Sequence, residues 1–413
     1  MIVPARPSMT KLEKMTVLMI QTSNSGIAYW RLYNPWVGIH RNGLANAHVL
    51  WWNKSLNEIH PWQYEIEDPR YMYRITAEMS QYAQMADVIV IQGVQTPAAL
   101  NTIYALKDAF PAKPILTEMD DDVTWTPADH PAAQHYTPGS RLVDTAIKQL
   151  KVSDGLIVST PWLKEVYSEY NDNIEVLPNA IDFKVWDRVK KAKKPGVRIG
   201  FAGGASHIED LRMVEGALKN VLRENKDVRL VLVHCVPDFL RDFPGVVGVH
   251  DWARIDKYPA FLGKQDFDIG IAPLIHNRFN RCKSNLRWLE YSALGIPTVA
   301  SKVGHFEQTI THGMDGFLAE TPEQFEAYLQ RLISDAKLRK RMGANAYNTI
   351  RASYNIDGVA HDYIRILRRF AEKGVVNHPP ELPATSRHEE AAKLLKKPDD
   401  TELLEGHSIG GDL

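Results

Sequence analysis

Lys283, Arg287 and Glu290 follow one another at intervals of four and three residues in the stretch from Phe279 to Phe317, FNRCKSNLRWLEYSALGIPTVASKVGHFEQTITHGMDGF. On a helix this spacing lines the three side chains along one stripe. A helix N-terminus presents unpaired N–H groups and partial positive charge, and a lysine beside it completes an anion site suited to phosphate. A carboxylate two turns further on can accept from the paired hydroxyls of a ribose. Phosphate at one end and ribose at the other describe a bound nucleotide. A solvated ladder of ion pairs has the same spacing, so the choice rests on the surroundings.

Two further groups of residues bear on that choice. Lys113-Pro-Ile-Leu-Thr-Glu118-Met leads into Asp120, Asp121 and Asp122, three adjacent carboxylates that repel one another. At the end of a short strand they would stand at the carboxyl edge of a sheet, where open α/β folds bind ligands. One reading is a D-x-D pair holding a divalent ion against a departing diphosphate; another is a helix cap with exposed acids. The second group is VRIGFA followed by Gly203-Gly204-Ala-Ser206-His207, where a glycine pair ahead of a helix lets backbone N–H groups approach phosphate oxygens. His207 and Ser206 are polar candidates in the same loop, although a lone histidine is more often a satisfied structural group.

The elements that must position these groups are legible. Ser284 can cap a helix, Leu286, Leu289 and Ala293 keep helical spacing, Gly295 and Pro297 stop it, and Thr298-Val-Ala-Ser is a buried strand. Near the start, Thr16-Val-Leu-Met-Ile-Gln reads as a strand running into Thr-Ser-Asn-Ser-Gly26 and a helix near Ala28, a doubly wound opening without the G-x-G-x-x-G fingerprint. Gly26 serves either close backbone approach to a ligand or a plain turn. Aromatics crowd the next region, including Tyr29, Trp30, Tyr33, Trp36, Trp51, Trp52, Trp62 and Tyr64, and either pack an irregular subdomain or stack on a ligand. Val246 to Trp252 reads as a strand and loop, with Trp252 free to stack or pack.

With 413 residues, 44% of them hydrophobic, the chain can bury two cores, and KKAKKP at 190–195 is a charged, proline-terminated hinge between them. A formal net charge of −1 excludes a global field toward nucleic acid or anionic membrane. Two cysteines far apart, Cys235 and Cys282, imply reduced thiols in the cytoplasm. No signal peptide and no apolar run long enough to cross a bilayer is present in the sequence. Residues 377–413 are rich in Pro, Glu, Lys and Gly and are expected to be disordered.

KSNLRWLEYSALGIPTVAS followed by His-Gly-Met-Asp-Gly-Phe-Leu resembles the donor-binding segment of the retaining GT-B glycosyltransferases, glycosyltransferase family 4 and its relatives. Glu290 matches the family's second glutamate, which binds the donor ribose; the first glutamate's position is Cys282, beside Lys283, and some phage and surface-polysaccharide relatives look similar in carrying a Lys-Ser pair there. DGLIVSTPxL and then VLPNxID, from Asp154 to Asp182, resemble the end of the family's N-terminal domain, where Asn179 and Asp182 would brace the junction.

The resemblance implies an α/β fold of the GT-B type, two Rossmann-like doubly wound domains facing a central cleft. Its divisions would be an extension at 1–14, an acceptor domain at 15–189, the linker, a donor domain at 196–355, and a helix at 356–376 crossing back to the first domain. It implies transfer of a sugar from a UDP-, GDP-, ADP- or TDP-sugar to an acceptor hydroxyl, with retention, no tightly bound cofactor and no metal. Donor contacts would fall on Gly26, Gly203, Gly204, Ser206, His207, Trp252, Lys283, Ser284, Asn285 and Glu290, and catalytic roles on Asp120, Asp121, Lys283 and Glu290. The acceptor, a glycan, a protein or a modified nucleic acid, would meet Trp30, Arg31 and Asp122. An epimerase, a pyridoxal-dependent phosphorylase or a non-catalytic sugar-nucleotide binding module on the same scaffold are the alternatives.

Overall fold

The structure is a computed structural model that describes residues 14–21, 26–51, 77–93, 97–133, 136–251 and 253–376. Twelve strands are found among them, in two parallel sheets. β1 (Thr16–Gln21), β2 (Asn46–Trp51), β3 (Val88–Gln92), β4 (Ile115–Met119), β5 (Gly155–Val158) and β6 (Ile174–Val176) lie in the order β2-β1-β3-β4-β5-β6. β7 (Val197–Gly203), β8 (Val228–His234), β9 (Val246–Val249), β10 (Ile269–Ala272), β11 (Thr298–Ser301) and β12 (Phe317–Ala319) lie in the order β12-β11-β10-β7-β8-β9.

Parallel strands covered by helices on both faces read as unbroken apolar runs. The VIVI of β3 follows that pattern, and every position of β3 and β4 is buried, including Gln92, Thr117 and Glu118. The order of each sheet reverses once, between β1 and β3 in the first and between β7 and β10 in the second. Ligands of doubly wound sheets bind at such switch points, outside the carboxyl ends of the strands. β7 ends at Gly203 and β4 at Met119, so the glycine loop and the three aspartates both stand at carboxyl edges.

Helix starts follow local chemistry. Thr160 and Thr321 cap helices Pro161–Tyr167 and Pro322–Ser334, each accepting a backbone N–H of the first turn with proline at the first helical position. The last helix, Ile356–Lys373, lies against the first sheet rather than the second: Val359, Tyr363, Leu367 and Phe370 share a core with Val17, Val90 and Ile157. Gly155 permits this contact, since a Cβ there would stand 2.1 Å from the Phe370 ring. Among the described residues no helix is long and apolar enough to cross a membrane. The region 377–413 and Trp51's neighbours Trp52, Trp62 and Tyr64 lie outside the described residues.

Candidate active site

The second lobe builds a cation-lined loop. Helix Leu286–Ala293 packs beneath β7 and β10, with Trp288, Leu289 and Tyr291 in the core and the Tyr291 hydroxyl accepting the Ala202 N–H at 3.0 Å. The same helix sends Arg287 toward the end of β7, where its Nε donates to the Ala202 carbonyl at 3.0 Å and its guanidinium lies 4.7 Å over the Phe201 ring. A Cβ on Gly203 would come within 2.9 Å of Arg287 Nη2, so the glycine is what lets the cation lie along the loop. Gly204 is exposed and leads into the short turn Ala205–His207 with Ser206 partly exposed.

His207 is held, and is not free to roam as a ligand. Its Nδ1 pairs with Asp210 Oδ2 at 2.8 Å, and Asp210 Oδ1 accepts from the Ile275 N–H at 2.8 Å and Asn280 Nδ2 at 2.9 Å. Burial, aided by the Arg287 charge, pushes the imidazole down to about 4, so the ring is neutral at ordinary pH. The network ties the glycine loop to the segment leaving β10, the two sides of the switch point.

Glu290 lies one turn beyond Arg287, buried, and accepts from the Tyr258 hydroxyl at 3.2 Å. Burial pushes its carboxyl up to about 7, against the pull of Arg287 and the Tyr258 hydrogen bond. A desolvated carboxylate with one donor retains accepting capacity for further hydroxyls.

Lys283 departs from the helical stripe. The helix begins at Leu286 with Asn285 at its N-cap, and Lys283 is the extended residue that ends the preceding helix, Arg278–Cys282. Its ammonium sits 4.4 Å over the Phe279 ring and 3.4 Å from Asp121 Oδ1, so it reaches across to the first lobe. Ser284 does not cap the helix either; its Oγ accepts from Asn179 Nδ2 at 3.0 Å, again across the lobes. Asn285 is buried beside the Tyr354 hydroxyl.

The three aspartates divide their work. Asp122 is fully buried, accepting from the Thr124 N–H at 2.9 Å and hydroxyl at 2.7 Å and from Arg278 Nε at 2.8 Å. It braces the two lobes instead of facing an acceptor. Asp121 is partly exposed beside Lys283. Asp120 Oδ1 is buried and has no hydrogen-bond partner among the described residues; burial raises its pKa, Arg31 lowers it and Asp121 raises it again. Asp120 and Asp121 are thus the acids brought to the cleft edge.

Trp30 and Arg31 turn inward. Trp30 packs in the core shared with Phe183, Trp186 and Trp288. Arg31 is 1% exposed, paired with Glu118, and donates to the Leu177 carbonyl at 2.8 Å and to Asn179 Oδ1 at 2.9 Å. Burial works against its charge, but the adjacent Glu118 holds it above the ordinary guanidinium value. Gly26 is exposed with open space around its Cβ position, and Trp252 lies outside the described residues. Asn179 reaches across the junction to Ser284, whereas Asp182 is paired at 2.6 Å with Arg41 of its own lobe. Among the described residues no group of three or more His, Cys, Asp or Glu side chains converges on a metal position.

Arg287 is the residue that sequence reasoning passed over. Its place on the stripe was visible, but the loop it faces is decided by how its helix packs on β7. The first glutamate of the resembled pattern is replaced by Cys282, whose thiol is buried in the first lobe among Met119, Leu150 and Tyr167 and pushed up to about 12 by burial.

Residues 286–349 match the family described as Glycosyl transferases group 1. The chain is 26% identical over 207 residues to N-acetyl-alpha-D-glucosaminyl L-malate synthase of Bacillus anthracis, covering 47% of this chain and 53% of that protein, so it spans about half the length of this curated relative. Among solved structures it is similar to a glycosyltransferase from Rickettsia africae (TM-score 0.59, 14% identity, 86% of this chain and 98% of that one). It is also similar to sucrose-phosphate synthase from Thermosynechococcus elongatus (0.60, 12%, 87% and 100%) and to Anabaena HepE in complex with UDP (0.56, 14%, 86% and 100%). The chain has the two-sheet α/β fold of the GT-B glycosyltransferases, and residues 286–349 match the group 1 glycosyltransferase model.

Proposed function

We propose that the protein transfers a sugar from a nucleoside diphosphate to an acceptor hydroxyl, with retention at the transferred carbon. The observation that carries this reading is the placement of Arg287 along the Gly203-Gly204 loop at the switch point of the second sheet, with Lys283 near enough for its charge to act on His207 and Glu290 one turn beyond Arg287. Diphosphate would lie along the loop N–H groups and the Ser206 hydroxyl between the two cations, and Glu290 would accept from the ribose hydroxyls. As the glycosidic bond breaks, negative charge gathers on the leaving diphosphate, and preorganised amides and cations lower that barrier. Arg287 and Lys283 are the groups we assign to this task in place of a divalent ion. Asp120 and Asp121, across the cleft from the leaving group, would orient the acceptor hydroxyl and stabilise positive charge on the anomeric carbon.

Because Anabaena HepE is a neighbour solved with UDP, UDP is the first nucleotide to test. The B. anthracis relative's name makes an N-acetylglucosaminyl donor the first conjugate. A thermal-shift panel of UDP, GDP, ADP and TDP with their common sugar conjugates should give one base a clear rise in Tm. Product formation with the matching sugar should then vanish in Glu290→Ala. No shift with any nucleotide would end this reading. A binding module without turnover is the second reading, favoured by a thiol, Cys282, buried where the resembled pattern has a glutamate; nucleotide binding without product across glycan, protein and hydroxymethylated DNA acceptors would select it. We place the enzyme in the cytoplasm, in keeping with its reduced, buried cysteines.

A further inference from the structure

Helix Ile356–Lys373 has one face in the core of the first lobe and the other in solvent. On the solvent side His361, Arg365, Arg368 and Arg369 border a cavity of about 390 Å³, with Leu44 and Ile364 as its apolar lining and Glu372 as the one acid in its wall. Leu44 leads into the first residues of β2, so this cavity lies toward the edge of the sheet opposite the strand ends that carry Asp120 and Asp121. It is a separate place from the cleft.

The charge pattern is what distinguishes it from an ordinary helix surface. Residues 361, 365 and 369 succeed one another at four-residue spacing with no acid between them in the row. Of these, Arg365 and Arg369 are like charges four residues apart, a spacing that destabilises a helix by about 0.2–0.5 kcal/mol per pair. Arg365 meets Asp362 at 3.1 Å in an exposed pair, and Arg369 pairs with Glu175. Lys14 Nζ adds a cation beside the same wall, 3.6 Å from the Cβ position of Gly43, next to Leu44. A chain of formal net charge −1 has gathered these cations around one hollow. Arginine forks match phosphate oxygens two at a time, and the volume is within the roughly 300–1,000 Å³ usual for small-ligand sites.

We propose that this cavity is a second anion site, which takes a compact phosphate-bearing group, either the headgroup of an anionic lipid or a soluble polyphosphate, independently of the cleft. A concave wall with an apolar lining suits a compact group better than the backbone of an extended polymer.

Isothermal titration with tripolyphosphate, on the full chain and on two variants, tests it. Arg365→Gln/Arg368→Gln should weaken one binding event about tenfold or more, while Arg287→Gln should leave that event unchanged. An event lost in Arg287→Gln but kept in the double variant belongs to the cleft and overturns the proposal, as does the absence of saturable binding. Cosedimentation with vesicles of phosphatidylglycerol against phosphatidylcholine separates the sources: pelleting that depends on Arg365 and Arg368 identifies a lipid headgroup, and tripolyphosphate binding without pelleting identifies a soluble anion. Binding seen with duplex DNA and with neither compact probe overturns it.

Discussion

Arg287 and Glu290 carry opposite demands on one turn of helix. Arg287 reaches the glycine loop, and a charge-assisted bond to phosphate contributes about 1.5–3 kcal/mol. Arg287→Gln should therefore weaken nucleoside diphosphate binding by about 10- to 100-fold by calorimetric titration, with the fold intact; an unchanged Kd would remove Arg287 from the site. Glu290 titrates at about 7 because it is buried. Two hydroxyl donors favour its ionised form, so below that value binding must expel a proton, and affinity should rise with pH up to about 7 and then level off. The Glu290→Gln variant should keep only the nucleotide's own phosphate titration. Stability runs the other way. A carboxyl raised above its ordinary value binds its proton more tightly in the folded state, so its contribution is present below pH of about 4.5 and is lost as pH rises through about 7. The place of Glu290 on the helix, one turn beyond Arg287, was legible in the sequence, since its motif is local. Arg287, Trp30 and Arg31 were not, because which way a side chain faces depends on the lobe packed over it, and a π-turn at Tyr29–Tyr33 aims two polar-looking candidates at the core.

Helix Leu286–Ala293 is placed by its ends as much as by its face. It stops where the sequence says it should: Gly295 takes φ of 65°, its N–H donates to the Ser292 carbonyl at 2.8 Å, and the Ile296 N–H donates to the Tyr291 carbonyl at 3.0 Å, a Schellman closure. Its start was misjudged by one residue, the cap falling on Asn285 instead of Ser284. A break between helices Arg278–Cys282 and Leu286–Ala293 puts Lys283 in extended backbone, and no periodicity could reveal a bend whose cause is the first lobe's grip on Cys282 and Ser284. The C-terminal end is pinned from outside. Helix Ala336–Ser353 passes so close that a Cβ on Gly343 would stand 2.1 Å from the Gly295 carbonyl oxygen and 3.3 Å from Pro297 Cδ. Because the first of these is backbone, the clash cannot be relieved by a rotamer change, and Gly343→Ala should cost about 3 kcal/mol. Urea denaturation measures it directly, and a midpoint equal to that of the unsubstituted protein would mean the two helices are not in the contact described.

At the scale of the whole molecule, the two sheets meet through a core shared by Trp30, Phe183, Trp186 and Trp288 and through the short segment from Arg278 to Ser284. Arg278 donates to Asp122 and, at 2.7 Å, to the Thr124 hydroxyl; the Thr160 hydroxyl donates to the Cys282 carbonyl at 2.9 Å; Asn179 reaches Ser284. Arg281 lies 3.9 Å over the Trp162 ring, and the His130 ring meets Phe279 edge-on at 5.1 Å. The two-lobe architecture could be read from repeated strand, loop and helix patterns, whereas these partners lie more than a hundred residues apart and no local pattern links them. The segment they grip is the one that presents Lys283, so this cation is positioned by the first lobe. Asp122 is the pivot, a carboxylate with no exposure whose charge is met by a single arginine. Arg278→Gln would leave that carboxylate buried with only the Thr124 donors, at a cost of about 2 kcal/mol once the 42% exposure of the Arg278 side chain is allowed for. The loss falls on the contact between lobes rather than on either core. Scanning calorimetry should therefore show the unfolding transition broaden or split, and donor binding should weaken although Arg278 touches no donor. A single sharp transition at the original Tm, with donor affinity unchanged, would show that the shared core, and not the Arg278–Asp122 pair, couples the lobes.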